Sequence, residues 1–277
     1  MPILYLVATP IGNLEDVTLR ALRILREVAL IAAEDTRTTR KLLAQHAIRA
    51  RLTSYHEHNK AQKTPYILNA LEQGDVALVS EAGMPAVSDP GVDLVAAAVA
   101  AGVAVVPVPG PSAVVTALAV SGLPTRQFTY VGFLPRRRGE RRRLLSSLAG
   151  QPRTIVALES PHRLPASLAD LLEVLGDRRI AVCRELTKLH EEVFRGRISE
   201  ALAHFCEPRG EFTLVIQGAT AQEDTPPDEE AIRQELRQLR QQGLGARRAV
   251  DEVALRFGLP RRQAYRLWLQ TGGESGQ

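Results

Sequence analysis

The feature that most limits how this chain can fold is a recurring pair: an apolar run, then a stretch with helical spacing. "ILYLVAT" (3–9), "VALIAAED" (28–35), "VALVSE" (76–81) and "VAVVPVPG" (103–110) are rich in Val, Ile and Leu, with a weaker run at "LTSYH" (52–56). Between them, residues 17–26, 38–46, 62–73 and 91–101 have the apolar periodicity and length of helices. Strands that are apolar on both faces and separated by helices predict a mostly parallel sheet covered on both sides, which is an α/β fold.

A second series begins after a helix predicted over 112–121, which bridges the two halves. Its strands are expected at 128–135, 154–160, 179–186, 191–198 and 211–218. Only one helical stretch, 199–205, interrupts the last of these, so this sheet is expected to be mixed. The chain therefore reads as two α/β lobes, 1–112 and 113–219. From there the composition turns polar and proline-containing in "ATAQEDTPPDEE", and helical periodicity then returns. Residues 220–277 are expected to be a linker and a small helical C-terminal domain.

Composition sets the class. A chain of 277 residues, 45% hydrophobic, can bury two cores without covalent staples. Cys183 and Cys206 are the only cysteines and neither sits in a CxxC, which fits a reducing compartment and indicates neither a disulfide framework nor a cysteine zinc site. No signal peptide is visible, and the longest apolar stretch, 92–108, is broken by Asp93, Gly102 and Pro107. A cytoplasmic protein with no membrane partner is expected. The net charge of +4 leaves polyanion binding open.

Loops rich in proline and glycine leave several predicted strands: "ATPIGN" (8–13), "SEAGMPAVSDPG" (80–91) and "PVPGPSA" (107–113). In open α/β sheets, ligands bind where loops leave the carboxyl ends of strands. Both GxGxxG and GxxxxGK[ST] are absent, and Gly243-Leu-Gly245 lies between predicted helices, so neither a dinucleotide nor an ATP-phosphate site is indicated. A ligand with amino-acid and nucleoside parts but no phosphate suits such loops better.

"ATPIGNLEDVTLRAL", "AEDTR", "SEAGMPAVSDPG", "PGPSA", "GFLPR", "ESPHR" and "CRELTKLHEEVFRG" occur in an order and at spacings that resemble the tetrapyrrole methylase fold family. Within it, the chain is similar to the enzymes that use S-adenosylmethionine to methylate the ribose 2'-hydroxyl of a cytidine in 16S rRNA. The chain departs from that pattern at Glu81 and Met84, where Asp and Thr are usual. The resemblance implies a cofactor cleft between the lobes, with contacts from Pro10, Ala82, Gly83, Val87, Ser112, Ala113 and Thr213. It implies no metal, and it implies paired subunits in a homodimer acting on 16S rRNA or the small ribosomal subunit.

A ribose hydroxyl needs an acceptor for its proton. Glu34, Asp35, Glu81, Glu159 and Glu185 all fall at the ends of predicted strands, where any of them could equally cap a helix or pair with an arginine. Asp35 or Glu81 is expected to act as base or orienter, with Arg37 and Lys188 contacting phosphate or substrate. His162 in "ESPHR", just past a predicted strand, either lines the cleft and contacts substrate or starts a helix. His56 and His58 have ligand spacing, but a third ligand has no obvious source, so a substrate loop is expected there. "RRRGERRR" (136–143), led by Arg136, Arg137 and Arg138, is read as an RNA-docking element at the cleft mouth rather than a solvated helix face. In the tail, residues around a turn at Gly258 have a helix-turn-helix pattern that either contacts nucleic acid or packs on the enzyme or its twin, with Tyr265 and Trp268 expected in its core. Two other readings stand beside this one: methylation of a tetrapyrrole precursor on the same fold, and a non-enzymatic nucleic-acid-binding regulator.

Overall fold

The computed structural model describes residues 2–219, 229–257 and 259–271. The chain divides into two compact units, Met1–Gly218 and Ala219–Gln277.

The first unit holds two five-stranded sheets. In one, β1 (Ile3–Val7), β2 (Leu30–Ala33), β3 (Leu52–Ser54), β4 (Val76–Val79) and β5 (Ala104–Val108) are all parallel, in the order β3-β2-β4-β1-β5. Side chains alternate across it as strand geometry requires. Ile31, Ala33, Ala77 and Val79 pack on α1 (Leu19–Glu27) and α2 (Thr36–Gln45) through Leu25 and Leu42. Their neighbours Leu30, Ala32, Val76 and Leu78 pack on α3 (Lys60–Gln73) and α4 (Gly91–Ala100) through Ile67 and Leu94. The uninterrupted apolar runs therefore mark a sheet buried on both faces. Each long strand stops two residues short of its apolar run, at Val7, Ala33, Val79 and Val108. The last residues leave the ladder to form the loops at the carboxyl ends.

From β5 the chain enters α5 (Ala113–Ser121), which packs on the second sheet through Ala117 and Leu118. That sheet contains β6 (Phe128–Phe133), β7 (Thr154–Glu159), β8 (Arg179–Arg184), β9 (Glu192–Arg197) and β10 (Phe212–Ile216) in the order β6-β7-β10-β8-β9. Only the β6–β7 pair is parallel, so the sheet is mixed. Its other face is covered by α6 (Arg138–Leu148), α7 (Leu164–Leu175) and α8 (Ile198–His204).

The arginine run is not the uniform docking face expected from the sequence. Arg141 is buried, and its Nε donates to Asp170 Oδ2 of α7 at 2.9 Å. Arg138 reaches the same carboxylate at 3.0 Å, and Arg142 pairs with Glu173. Arg136 and Arg137 remain exposed ahead of the helix, with Arg137 3.3 Å from Glu140.

The second unit packs α9 (Glu229–Gln241), α10 (Ala246–Arg256) and α11 (Arg261–Gln270) around Leu236, Val253, Leu267 and Trp268. Gly258, the expected turn glycine, and linker residues 220–228 lie outside the described residues. Trp268 is buried under the Arg240 guanidinium, 4.0 Å from its ring centroid. Tyr265 is not in that core. It is 49% exposed, one position off the helix face that carries Ala264, Leu267 and Trp268. No helix among the described residues is long and apolar enough to cross a membrane.

Candidate active site

The loops leaving β1 and β4 are held together beyond the sheet. Thr9 N–H donates to Gly83 O at 2.9 Å and Gly83 N–H to Thr9 O at 3.0 Å. Ser80 Oγ adds a bond to Gly83 O at 3.0 Å. Further along, the Asp89 carboxylate accepts Ala86 N–H at 2.9 Å and Gly91 N–H at 2.7 Å. Inside that turn Ala86 and Ser88 have φ of 65° and 66°, while Glu185 and Thr187, on the loop after β8, have 48° and 67°. Left-handed backbone at residues with side chains persists only where the surroundings over-determine it, and it collects at ligand sites. Gly83 itself sits at φ 81°. Gly83→Ala is expected to cost about 1–2 kcal/mol, the penalty of a Cβ in this region, read as a lower denaturation midpoint.

The lobes touch at the loops. Asn13 N–H donates to Thr187 Oγ1 at 3.0 Å, and Ser88 Oγ lies 3.0 Å from Tyr130 Oη. A Cβ on Gly12 would sit 2.8 Å from Thr187 Oγ1 and 3.0 Å from Leu186 O, so this approach admits no side chain.

Between these loops lies a cavity of about 420 Å³, within the roughly 300–1,000 Å³ of small-molecule sites. Ile11, Val87, Ala113, Leu158 and Leu186 give it apolar walls, and Ser88 and Thr213 contribute hydroxyls. The charged groups at its edge, Glu34, Glu81, Asp89, Glu159 and Glu211, are all carboxylates. Such a site suits a cation with an apolar body and repels phosphate. A smaller cavity of about 220 Å³ adjoins it, with Thr9, Thr38, Thr39 and Ser80 hydroxyls and Lys188 in its wall. The two share Ile11, Ser80, Glu81, Ala82 and Glu211.

The candidate carboxylates separate by environment. Asp35 caps α2, accepting Arg37 N–H at 2.7 Å and the Arg37 guanidinium at 2.9 Å. The Arg37 side chain thereby holds the Asp35 carboxyl down at about 2, which makes it a weak base. Glu159 is fully buried and engaged by Arg163, by Ser160 N–H at 2.7 Å and by Ser167. Glu185 is tied to Lys188 at 2.9 Å and to Glu211 N–H at 2.9 Å. Glu34 is half-buried, and burial pushes its carboxyl up against the pull of the Glu81 N–H, 3.2 Å away. The Glu81 carboxylate is exposed and stands where the cavities join.

Of the residues expected from the sequence, Ala82, Val87, Ala113 and Thr213 line the larger cavity, with Glu81. Pro10 and Lys188 line the smaller one, where Lys188 is held by Glu185 and by Glu211 at 2.8 Å. Gly83 braces the loop, and Ser112 occupies the position before α5. Asp35, Arg37, Arg136, Arg137, Arg138 and the exposed His162 line neither cavity. Sequence reasoning missed Ile11, Leu158, Cys183 and Leu186. Only the alternation of β7 and β8, with Leu158 and Cys183 at inward registers beside Thr213, could have indicated two of them.

Residues 3–202 match the tetrapyrrole (corrin/porphyrin) methylases. The chain belongs to this family. Among curated proteins it is 50% identical to ribosomal RNA small subunit methyltransferase I of Synechocystis sp. over 274 residues, covering 98% of each chain. It is 43% identical to the protein of the same name from Bacillus subtilis, covering 96% of this chain and 93% of that one. Among solved structures, uroporphyrin-III-C-methyltransferase from Thermus thermophilus is similar with a TM-score of 0.57 and 25% identity, over 78% of this chain and 94% of that one. A further Thermus thermophilus structure of this enzyme, complexed with S-adenyl homocysteine, has a TM-score of 0.56 and 22% identity, over 78% and 97% of the two chains. The resemblance read from the sequence motifs, and the two-lobed α/β fold it implied, are borne out.

Proposed function

We propose that this tetrapyrrole methylase uses S-adenosylmethionine to methylate the ribose 2'-hydroxyl of a cytidine in 16S rRNA. The observation that carries the reading is the pair of cavities with a shared wall: one apolar and ringed by carboxylates, the other lined by hydroxyls, Lys188 and the shared Glu81 and Glu211. The cofactor supplies an electrophilic methyl on a sulfonium, and a cavity with carboxylates and, among the described residues, no lysine or arginine in its wall fits that charge. Ala82, Val87, Ala113 and Thr213 hold its body. Pro10, Gly83 and Ser112 set the course of the surrounding backbone.

The smaller cavity takes the target nucleotide, with its ribose 2'-hydroxyl turned toward the shared wall. Glu81, at the junction, accepts the hydrogen bond of the attacking hydroxyl and aligns it with the methyl carbon. Lys188 offers its ammonium to phosphate, while Asp35 keeps Arg37 oriented at the start of α2.

Exposed Arg136 and Arg137 dock the RNA backbone, with Arg138 and His162 at the edge of that surface. Arg136→Ala with Arg137→Ala is expected to weaken binding of small ribosomal subunits and to lower the slope of log affinity against log salt by about 1 per arginine, without changing cofactor affinity by calorimetry. The enzyme acts in the cytoplasm as a homodimer. Exposed Val92 and Val99 of α4 and Val115 of α5 are apolar side chains an interface would cover. Incubating the protein with methyl-labelled cofactor and either small ribosomal subunits or an acidic tetrapyrrole tests the substrate class. Label is expected in the RNA, and label in the macrocycle alone would overturn the reading.

A further inference from the structure

We infer that the second unit carries its own binding groove for single-stranded RNA, formed by the N-terminal halves of α10 and α11. This rests on the reading of the protein as an RNA methyltransferase and adds a second contact surface to it. A shallow groove of about 420 Å³ is lined by Arg247 and Val250 of α10 and by Arg261, Arg262 and Tyr265 of α11. Its charged wall residues are all arginines. Arg261 is neutralised by Asp251, whereas Arg247 and Arg262 make no ion pair among the described residues. Arg247 and Arg262 are both exposed, so the groove wall holds two like charges with no counter-charge between them, which an anion would supply. Both helix N-termini lie at this end, which adds partial positive charge.

Tyr265 decides the kind of anion. Its ring is half exposed, although the neighbouring Ala264, Leu267 and Trp268 are all drawn into the three-helix core. An aromatic face open to solvent beside free guanidinium groups is the arrangement that stacks an unpaired base while the arginines track its phosphates. A duplex has no free base face to offer, and an acidic peptide has no use for the ring.

The test uses the full chain and a fluorescein-labelled single-stranded RNA oligonucleotide, with anisotropy followed over a salt series. Arg247→Ala with Arg262→Ala is expected to weaken binding by roughly tenfold and to reduce the salt slope by about 1.4, at about 0.7 per phosphate on a single strand. Tyr265→Ala is expected to lose about fivefold or more with the slope unchanged, and Tyr265→Phe to restore it. Arg248→Ala, on the same helix outside the groove, serves as the control, and unchanged tryptophan fluorescence of Trp268, buried in the three-helix core, shows that the second unit of each variant is folded. An unchanged slope in the double variant, an equal loss from Arg248→Ala, a preference for the matching duplex, or no binding by the wild type overturns the groove. Methyl transfer to small ribosomal subunits is measured on the same samples. Transfer by the wild type with unaltered RNA binding in the groove variants sinks this inference alone, whereas no transfer to RNA sinks the functional reading.

Discussion

Replacing Asp170 with alanine lowers the free energy of unfolding by about 3–5 kcal/mol, because it leaves a buried guanidinium without its counter-charge. Asp170 and Arg141 have side chains that are 2% and 5% exposed. The carboxylate also takes Arg138, and Arg141 spends a further N–H on Pro135 O at 3.3 Å. These bonds dock α6 on α7 and so fix the segment that presents Arg136 and Arg137. Replacing both partners, Arg141→Met with Asp170→Leu, recovers most of the loss, since an apolar pair of similar volume asks for no compensation. Urea unfolding of the three proteins measures it.

The pH dependence has a definite sign. Burial pushes the Asp170 carboxyl up, but the hydrogen bonds and charges of Arg141 and Arg138 outweigh it and hold it below its ordinary value. A lowered folded value means the stabilisation is fully present above the unfolded value, about 3.9, and is lost as the pH falls below it. The gap between wild type and Asp170→Ala therefore narrows in acid.

Glu81→Gln lowers kcat/KM for methyl transfer by about 10²–10⁴, the range for removing a positioned acceptor of a reacting proton. Glutamine keeps the size and removes the charge. Asp35→Asn is expected to leave the rate within a few-fold, because asparagine caps α2 as well as aspartate does. Steady-state transfer assays on both variants, with cofactor affinity measured in parallel, separate the two carboxylates. A large loss from Asp35→Asn with Glu81→Gln near wild type reverses their roles.

The difference between those two residues illustrates what was legible in the sequence. Both end apolar runs, at the carboxyl ends of predicted strands, and that much placed them near the cleft. The cap bond from Arg37 is local, two residues from Asp35, whereas the opening of Glu81 into both cavities depends on where the loop between β4 and α4 folds back. That course is set by Asp89 and by Thr9, which is 74 residues from its partner Gly83. Local pattern was enough for the parallel sheet, since burial on both faces makes apolar runs continuous. It was not enough for the arginine run. Six arginines around one glutamate look alike in sequence, and only the arrival of Asp170 and Glu173 on α7 sorts the buried from the free. Tyr265 was misread for a related reason: a rotation by one helical position moves a ring from core to solvent.

The most direct test of the central claim is nucleoside analysis of 16S rRNA after incubation of small ribosomal subunits with the enzyme and methyl-labelled S-adenosylmethionine. Label confined to 2'-O-methylcytidine is the predicted result. Label on a base, or on another nucleoside, contradicts the placement of a cytidine ribose against the cofactor cavity.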